Sequence, residues 1–407
     1  MSNILKYASR DSIRFFALSE WQFYSGPNKQ VFGLPDVFGN NADVVRGTGA
    51  FNSLETLALV LEFQKKTMAT SENLLRALCR PSLTRLELHI RPGSPSTPVI
   101  SYPQLPKSCP NLQRLALDVD SRADIKSIPR ILNSEAFTFS FLTEFSVSDI
   151  EFPEPFLRRH PNIRVLRFRG QNIPHINDPS FLPKLAHFEG LPSSFVSLFG
   201  HGIRPIEYLK LFAVERLKKN ETGLLQYLFR TKTIRYLSLE PEFLGLATVG
   251  FSWDDVLAVI TSCPGLTTFI CPLDFDAGRT DHLETVYKTL LENLPNLEHL
   301  NLWIETPDVD VQQIHHDAHK QAIESAIALS RHRSLKSVQL KVMAFYELYE
   351  DLDGNPVYDS IRDEYWFSFM REAGADTVVS TSGMNMRTED DSDEGLILES
   401  FSGGREF

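Results

Sequence analysis

The sequence predicts an α/β chain wound as a right-handed βα solenoid, an irregular horseshoe with one curved parallel sheet. Three observations carry that prediction. A three-anchor apolar phrase recurs along most of the chain, with two variable residues after its first anchor and one after its second. Several copies are led in by the same Pro-Asn or Pro-Gly step. Between copies lie stretches whose apolar residues fall at helical spacing.

The copies run as Leu54/Leu57/Leu59, Leu83/Leu86/Leu88, Leu112/Leu115/Leu117 and Leu142/Phe145/Val147. They continue as Ile163/Leu166/Phe168, Ile206/Leu209/Leu211 and Ile234/Leu237/Leu239, then Leu266/Phe269/Cys271, Leu297/Leu300/Leu302 and Leu335/Val338/Leu340. A weaker copy begins at Leu185 with Phe188. The mean step is about 28 residues, inside the leucine-rich range of roughly 20–29. The last two anchors alternate with outward residues, which is strand periodicity. The lead-ins Cys109-Pro110-Asn111, His160-Pro161-Asn162, Cys263-Pro264-Gly265 and Leu294-Pro295-Asn296 mark where a helix must stop, because proline cannot continue one. Helices are predicted between copies, most clearly over 280–294, and also over 252–261 and 311–329. Strand–helix alternation with short turns implies a parallel sheet with right-handed crossovers. A chain of 407 residues exceeds one compact core, but a repeat array packs each unit only on its neighbours.

Taken in order, residues 1–50 are expected to form an N-terminal cap around Trp21, Phe23 and Tyr24, and residues 51–342 the solenoid. Residues 343–373 are expected to form a C-terminal cap, with a hairpin through Asp353-Gly354 and then a helix from Asp359 carrying Ile361, Tyr365, Trp366, Phe369 and Met370. Residues 374–407, rich in Ser, Thr, Gly and acids, read as a disordered acidic tail. From Phe345 onward there are 16 acidic and 4 basic residues, so the remaining 36 acidic and 37 basic residues nearly cancel. A neutral body argues against nucleic-acid binding, which needs a field of Lys and Arg.

The phrases CPNLQRLAL, CPGLTTF, LPNLEHLNL and RPSLTRLEL resemble the repeat region of fungal F-box/leucine-rich-repeat proteins, over about residues 50–345. The resemblance implies a protein that selects substrates for an SCF-type ubiquitin ligase, its F-box gripping a Skp-type adaptor. No F-box is found: Leu34-Pro35-Asp36-Val37-Phe38 is similar to its opening, but Gly39, Gly47 and Gly49 follow. Under this resemblance a lost or truncated F-box is expected, and the alternative expectation is a stand-alone scaffold or inhibitor unrelated to ubiquitin. A second departure is at the ninth position of the phrase, where such repeats carry Asn or Cys. Here it holds Arg91, Asp120, Ile150 and others, so local bonds must satisfy the loops and an uneven arc is expected.

Catalytic constellations are missing from the sequence: there is no G-x-S-x-G and no Walker A, and no enzyme or cofactor is expected. Gly47-Thr48-Gly49 lacks the third glycine of a dinucleotide loop. His315 and His319 share a helical spacing but lack the glutamate of a zinc motif, so a solvated polar face is the plainer reading. Asp351-Leu352-Asp353-Gly354 fails as a calcium loop, because Tyr349 and Ser360 would fall at the first and twelfth positions. Cys109 and Cys263 recur at equivalent repeat positions, which favours packing over reactivity. No signal peptide and no membrane-length apolar run is seen, and the four cysteines show no disulfide pattern, so a cytoplasmic or nuclear location is expected.

What remains is binding. The outward residues of the middle strands are expected to form a protein-binding surface on the concave sheet face: Arg167, Arg169, His187, Tyr208, Lys210, Phe212 and Tyr236, with His299, Asn301 and Trp303 further along. Aromatic and arginine side chains facing water have no core role and are the usual anchors of interfaces. Arg167, Arg169 and Lys210 suit an acidic or phosphorylated segment. The competing expectation is that they pair with their neighbours, for example Lys210 with Glu189.

Overall fold

The computed structural model describes residues 13–18, 51–63, 68–92, 104–119, 127–148, 150–170, 173–200, 202–212, 222–240, 253–274, 283–307, 332, 334–350, 356–370 and 378–385. The chain opens with strand β1 (Phe15–Leu18) and β2 (Thr56–Phe63), helix α1 (Met68–Leu78) and β3 (Arg85–Pro92). It continues through α2 (Leu105–Ser108), β4 (Arg114–Val119), α3 (Ser127–Asn133), β5 (Glu144–Ser148), α4 (Glu154–Arg159) and β6 (Val165–Arg169). Then follow β7 (His187–Gly190), α5 (Pro192–Phe199), β8 (Tyr208–Leu211), α6 (Thr222–Arg230) and β9 (Tyr236–Leu239). The last units are α7 (Trp253–Ser262), β10 (Thr268–Asp274), α8 (Leu283–Asn293), β11 (His299–Pro307), β12 (Ser337–Glu350), β13 (Pro356–Met370) and β14 (Val378–Asn385).

Among the described residues fourteen strands lie in one open sheet, in sequence order. Strands β1 to β12 are parallel, and β13 and β14 add an antiparallel end. This is the predicted βα solenoid on one curved sheet. The register repeats the sequence phrase strand by strand: Leu57 pairs with Leu86, Leu86 with Leu115, and Leu115 with Phe145. The second and third anchors Leu86, Leu88, Leu115, Leu117, Leu209, Leu211, Leu237, Leu239, Leu300 and Leu302 are all buried. They join one core with helix residues such as Leu74, Phe156, Phe195, Leu228, Ile260 and Leu290.

The weaker copy has a steric cause. Gly190 stands where other copies put a larger apolar third anchor, and a Cβ there would lie 2.6 Å from the Phe168 carbonyl oxygen and 2.8 Å from the Phe188 ring. The Phe188 ring and the Phe168 carbonyl occupy the space a side chain would need.

The lead-in turns also have a local cause. The first-anchor N–H bonds the carbonyl three residues back, as Leu112 does to Cys109, Ile163 to His160 and Leu297 to Leu294. That is a β-turn with proline at its second position and Asn or Gly at its third, where each is favoured. In place of an Asn ladder, hydroxyls at the lead-in reach back one repeat: Ser82 donates to the Leu54 carbonyl at 2.8 Å, Thr233 to Ile206 at 2.7 Å and Ser334 to Leu297 at 2.8 Å.

Three boundaries differ from expectation. Strand β1 lies within the stretch 1–50 assigned to a cap, and it continues the parallel sheet against β2. Its Ile13, Phe16 and Leu18 are a further copy of the phrase, with Phe16 buried; the cap residues Trp21, Phe23 and Tyr24 lie outside the described residues. The hairpin of the C-terminal cap is present as β12 and β13, its tip at 351–355 outside the described residues, but the helix from Asp359 is not: Pro356–Met370 is a strand. The helical reading linked Tyr365, Trp366 and Phe369, whereas Tyr365, Phe367 and Phe369 recur at period two. In register they meet Val342, Leu340 and Val338, so strand pairing continues the anchor parity that a helix would break. Finally, β14 occupies part of the stretch 374–407 expected to be a disordered tail; residues 386–407 lie outside the described residues.

His160 shows how tightly one turn is specified. It is buried, with Nδ1 donating to the Phe156 carbonyl at 2.6 Å and Nε2 accepting the Phe139 N–H at 2.9 Å. Making both bonds at once requires the neutral ring, because Nε2 accepts only when it carries no proton. Burial depresses its pKa below the ordinary 6.5, against the opposing pull of the Phe156 carbonyl. A base whose folded pKa is depressed contributes stability that is present above the unfolded value and is lost as pH falls below it. Melting temperature measured against pH is therefore expected to drop below about pH 6.5, and His160→Phe should flatten that limb while lowering stability at pH 8. Separately, Leu237→Ala in the core should cost about 2–5 kcal/mol in denaturant unfolding.

Candidate functional site

The sheet face turned away from the helices is built from three rows of outward residues. The parallel register stacks each row across neighbouring strands. The first row reads His187, Tyr208, Tyr236, Thr268 and His299 from β7 to β11. The second reads Arg167, Glu189, Lys210, Ser238, Ile270 and Asn301. The third carries Arg169 at the end of β6, Phe212 just after β8, Glu240 after β9, and then Pro272 and Trp303 in register on β10 and β11. Every residue expected to bind a partner falls on these rows.

In the first row the rings meet face to face. His187 stacks on Tyr208 with centroids 3.8 Å apart, and Tyr208 on Tyr236 at 3.9 Å with planes 9° apart. Adjacent strands lie about 4.8 Å apart, so a modest lean of each ring closes the stack. Burial and a hydrogen bond to Tyr236 push the Tyr208 phenol upward, keeping it protonated. On the third row the Arg169 guanidinium lies 4.2 Å from the Phe212 ring centroid, and the Lys210 ammonium 5.0 Å from the same ring. Strand β7 ends at Gly190, and Arg169 reaches across it.

The charges are largely matched. Arg167 Nε and His187 Nε2 both donate to Glu189 Oε1, at 2.8 and 2.6 Å. Arg167 also lies 4.0 Å from Glu144, and Glu144 is 3.8 Å from Arg114, which pairs with Glu87 at 3.0 Å. Lys210 pairs with Glu240 at 2.6 Å, not with Glu189. Of the three cations expected to hold an acidic segment, Arg169 alone makes no ion pair among the described residues; it is exposed and rests on Phe212. Further along, His299 Nδ1 bonds Ser337 Oγ at 2.7 Å and Asn301 donates to Gln339 at 3.0 Å.

Three features escaped the sequence reading. The charge lattice extends to Glu87, Arg114 and Glu144, residues that alternate with anchors but carry no local signal of their partners. Ser238, an outward residue, is fully buried among larger neighbours, and its hydroxyl has no partner. A short row, Ser148 to Asp118 to His89, runs along the ends of β5, β4 and β3, with His89 Nδ1 at 2.5 Å from Asp118. Its carboxylate sits between the other two groups, so the imidazole cannot reach the hydroxyl as a base.

Among the described residues no group of three His, Cys, Asp or Glu could hold a metal; His315, His319 and Asp351 to Gly354 lie outside them. Cys79, Cys109, Cys263 and Cys271 are buried, and burial pushes the Cys263 thiol up to about 12, an environment that suits packing rather than reactivity at that residue. No described helix is long and apolar enough to cross a membrane. The chain matches no protein-family model and no curated protein.

Glu189 is the electrostatic centre of the face, its side chain only 15% exposed. Burial alone would raise its carboxyl, but the hydrogen bonds from His187 and Arg167 outweigh it and hold the group at about 2, below the ordinary 4.5. An acid with a depressed folded pKa contributes stability that is present above the unfolded value and lost as pH falls toward the folded one. Glu189→Gln should therefore lower the melting temperature at pH 7, and the gap to the unmodified chain should shrink between pH 4.5 and 2.

Proposed function

We propose that this chain is a leucine-rich-repeat interaction module whose open sheet face binds a partner protein, in the manner of the substrate-recognition part of an F-box adaptor. The observation that carries the reading is the water-facing stack His187–Tyr208–Tyr236 beside the Arg169–Phe212 contact. None of these side chains packs in the solenoid core. Large amphipathic rings held in fixed rotamers lose little entropy on docking, and with Arg they dominate interface energetics. The near-balance of charges around them favours a protein surface over a polyanion, since nucleic acid is held by unmatched cations. The ubiquitin-ligase part of the reading rests on the resemblance of the repeat phrases alone.

The test is quantitative affinity capture from cells with the full chain. Its comparison is the variant Arg169→Ser, Tyr208→Ser, Tyr236→Ser, first checked for an unchanged circular dichroism spectrum. Partners that bind the face should fall at least tenfold in the variant. Skp-type and cullin subunits among the recovered proteins support the adaptor role, and a face-dependent partner without them supports a stand-alone scaffold. If no protein depends on the face, the reading is wrong.

A further inference from the structure

The cations of the face are not equally matched. Arg169, at the end of β6, meets no carboxylate in its row. Its register neighbour on β5 is Ser148, whose hydroxyl is given to Asp118, and on the other side β7 ends at Gly190. The guanidinium instead lies 4.2 Å from the centre of the Phe212 ring, and it makes no hydrogen bond or ion pair among the described residues. At that distance the planar cation rests on the ring face, and its N–H groups, which lie in its own plane, are left for another partner. The Lys210 ammonium lies 5.0 Å from the same ring centre and is held by Glu240 at 2.6 Å, with both side chains part-exposed. An ion pair open to water is nearly neutral in energy, so a second carboxylate can share Lys210 at little cost.

Resting on the interaction-module reading, we infer that Arg169 and Lys210, gathered on the Phe212 ring, form a seat for one carboxylate, an aspartate or glutamate side chain of the partner protein, and that Glu240 fills half of this seat in the free chain. Three observations select this occupant. Arg169, Lys210 and Glu240 leave one positive charge around the ring, which a carboxylate neutralises and a phosphate dianion oversteps. The open edge of a guanidinium matches a carboxylate in two parallel hydrogen bonds. The acids of the C-terminal end are screened from the seat: β8 and β12 are four strands apart, about 20 Å, against a screening length of about 10 Å at 0.1 M salt. Arg114 and Arg167 offer no equal seat, since each already lies between two glutamates.

The experiment titrates the full chain at pH 7 and about 0.1 M salt with four fluorescent hexapeptides. These are hexa-glutamate, hexa-lysine, a neutral Gly/Ser peptide, and a Gly/Ser peptide with three phosphoserines, close in charge to hexa-glutamate. Hexa-glutamate should bind most tightly. Arg169→Gln should weaken it by about tenfold. Arg85→Gln removes another exposed cation of the same face, one with no ring beneath it among the described residues, and should change binding by less than about twofold. Glu240→Gln, which releases Lys210, should tighten hexa-glutamate binding, whereas Glu207→Gln, which removes an exposed charge just before β8, should not. Each variant is first checked for an unchanged circular dichroism spectrum. Tighter binding of any other peptide, equal losses in the two arginine variants, equal effects of the two glutamate variants, or no binding at all each overturns the seat. None of those outcomes touches the interaction-module reading, which falls only if no captured partner depends on the face.

Discussion

One backbone carbonyl per repeat holds this molecule in register. The residue after each first anchor offers its oxygen to two consecutive N–H groups of the next repeat. Glu55 accepts from Thr84 and Arg85, Thr84 from Gln113 and Arg114, Gln113 from Thr143 and Glu144, and so on to Glu298 with Lys336 and Ser337, all at 2.7–3.1 Å. The contact recurs at each junction from β1 to β12. It sets the stagger of every strand on the next, and a one-residue slip would turn each anchor out of the core. The β-turn before the first anchor delivers the chain to that carbonyl, and the Ser and Thr hydroxyls beside it bond one repeat back. Because the lock consists of backbone groups, the anchors can vary among Leu, Ile, Val, Phe and Cys without shifting the sheet.

With the register locked, the two faces of the sheet acquire opposite tasks. The anchor face meets the helices in a core rich in phenylalanine, where large rings share space with small residues, as Phe168 does at Gly170 and Phe188 at Gly190. The opposite face repeats residue positions every 4.8 Å or so across strands, which is close to the stacking distance of aromatic rings and within reach of an ion pair. Any run of rings or alternating charges along a row is therefore brought into contact without a dedicated scaffold. This is why Arg114, Glu144, Arg167 and Glu189 form a lattice although they lie 22 to 30 residues apart from one strand to the next.

Much of this was legible in the sequence. The anchors, their burial, the sheet order and the ring-bearing rows follow from a phrase whose internal spacing has a strand period and whose length matches one βα unit. The alternation of anchors and outward residues is a local property of the backbone, so it survives folding unchanged. Where two periods competed, local reading failed. Tyr365, Trp366 and Phe369 suit a helix, but β12 offers a partner of matching parity, and pairing to it decides for the strand. The copy at Ile13, Phe16 and Leu18 carries little signal in the sequence, because it stands about 41 residues before the next, well outside the mean step.

The sequence by itself determined which residues face the core and which face outward, because side-chain direction in a strand is fixed by parity alone. Only the tertiary structure decided which outward residues touch. Whether Lys210 would choose Glu189 or Glu240, and whether Arg169 would reach over β7 to Phe212, depends on strand length, side-chain reach and the ring already stacked beside it. Those are three-body choices between residues about one repeat apart or more. Their energies are nearly equal in isolation, so no local pattern can rank them.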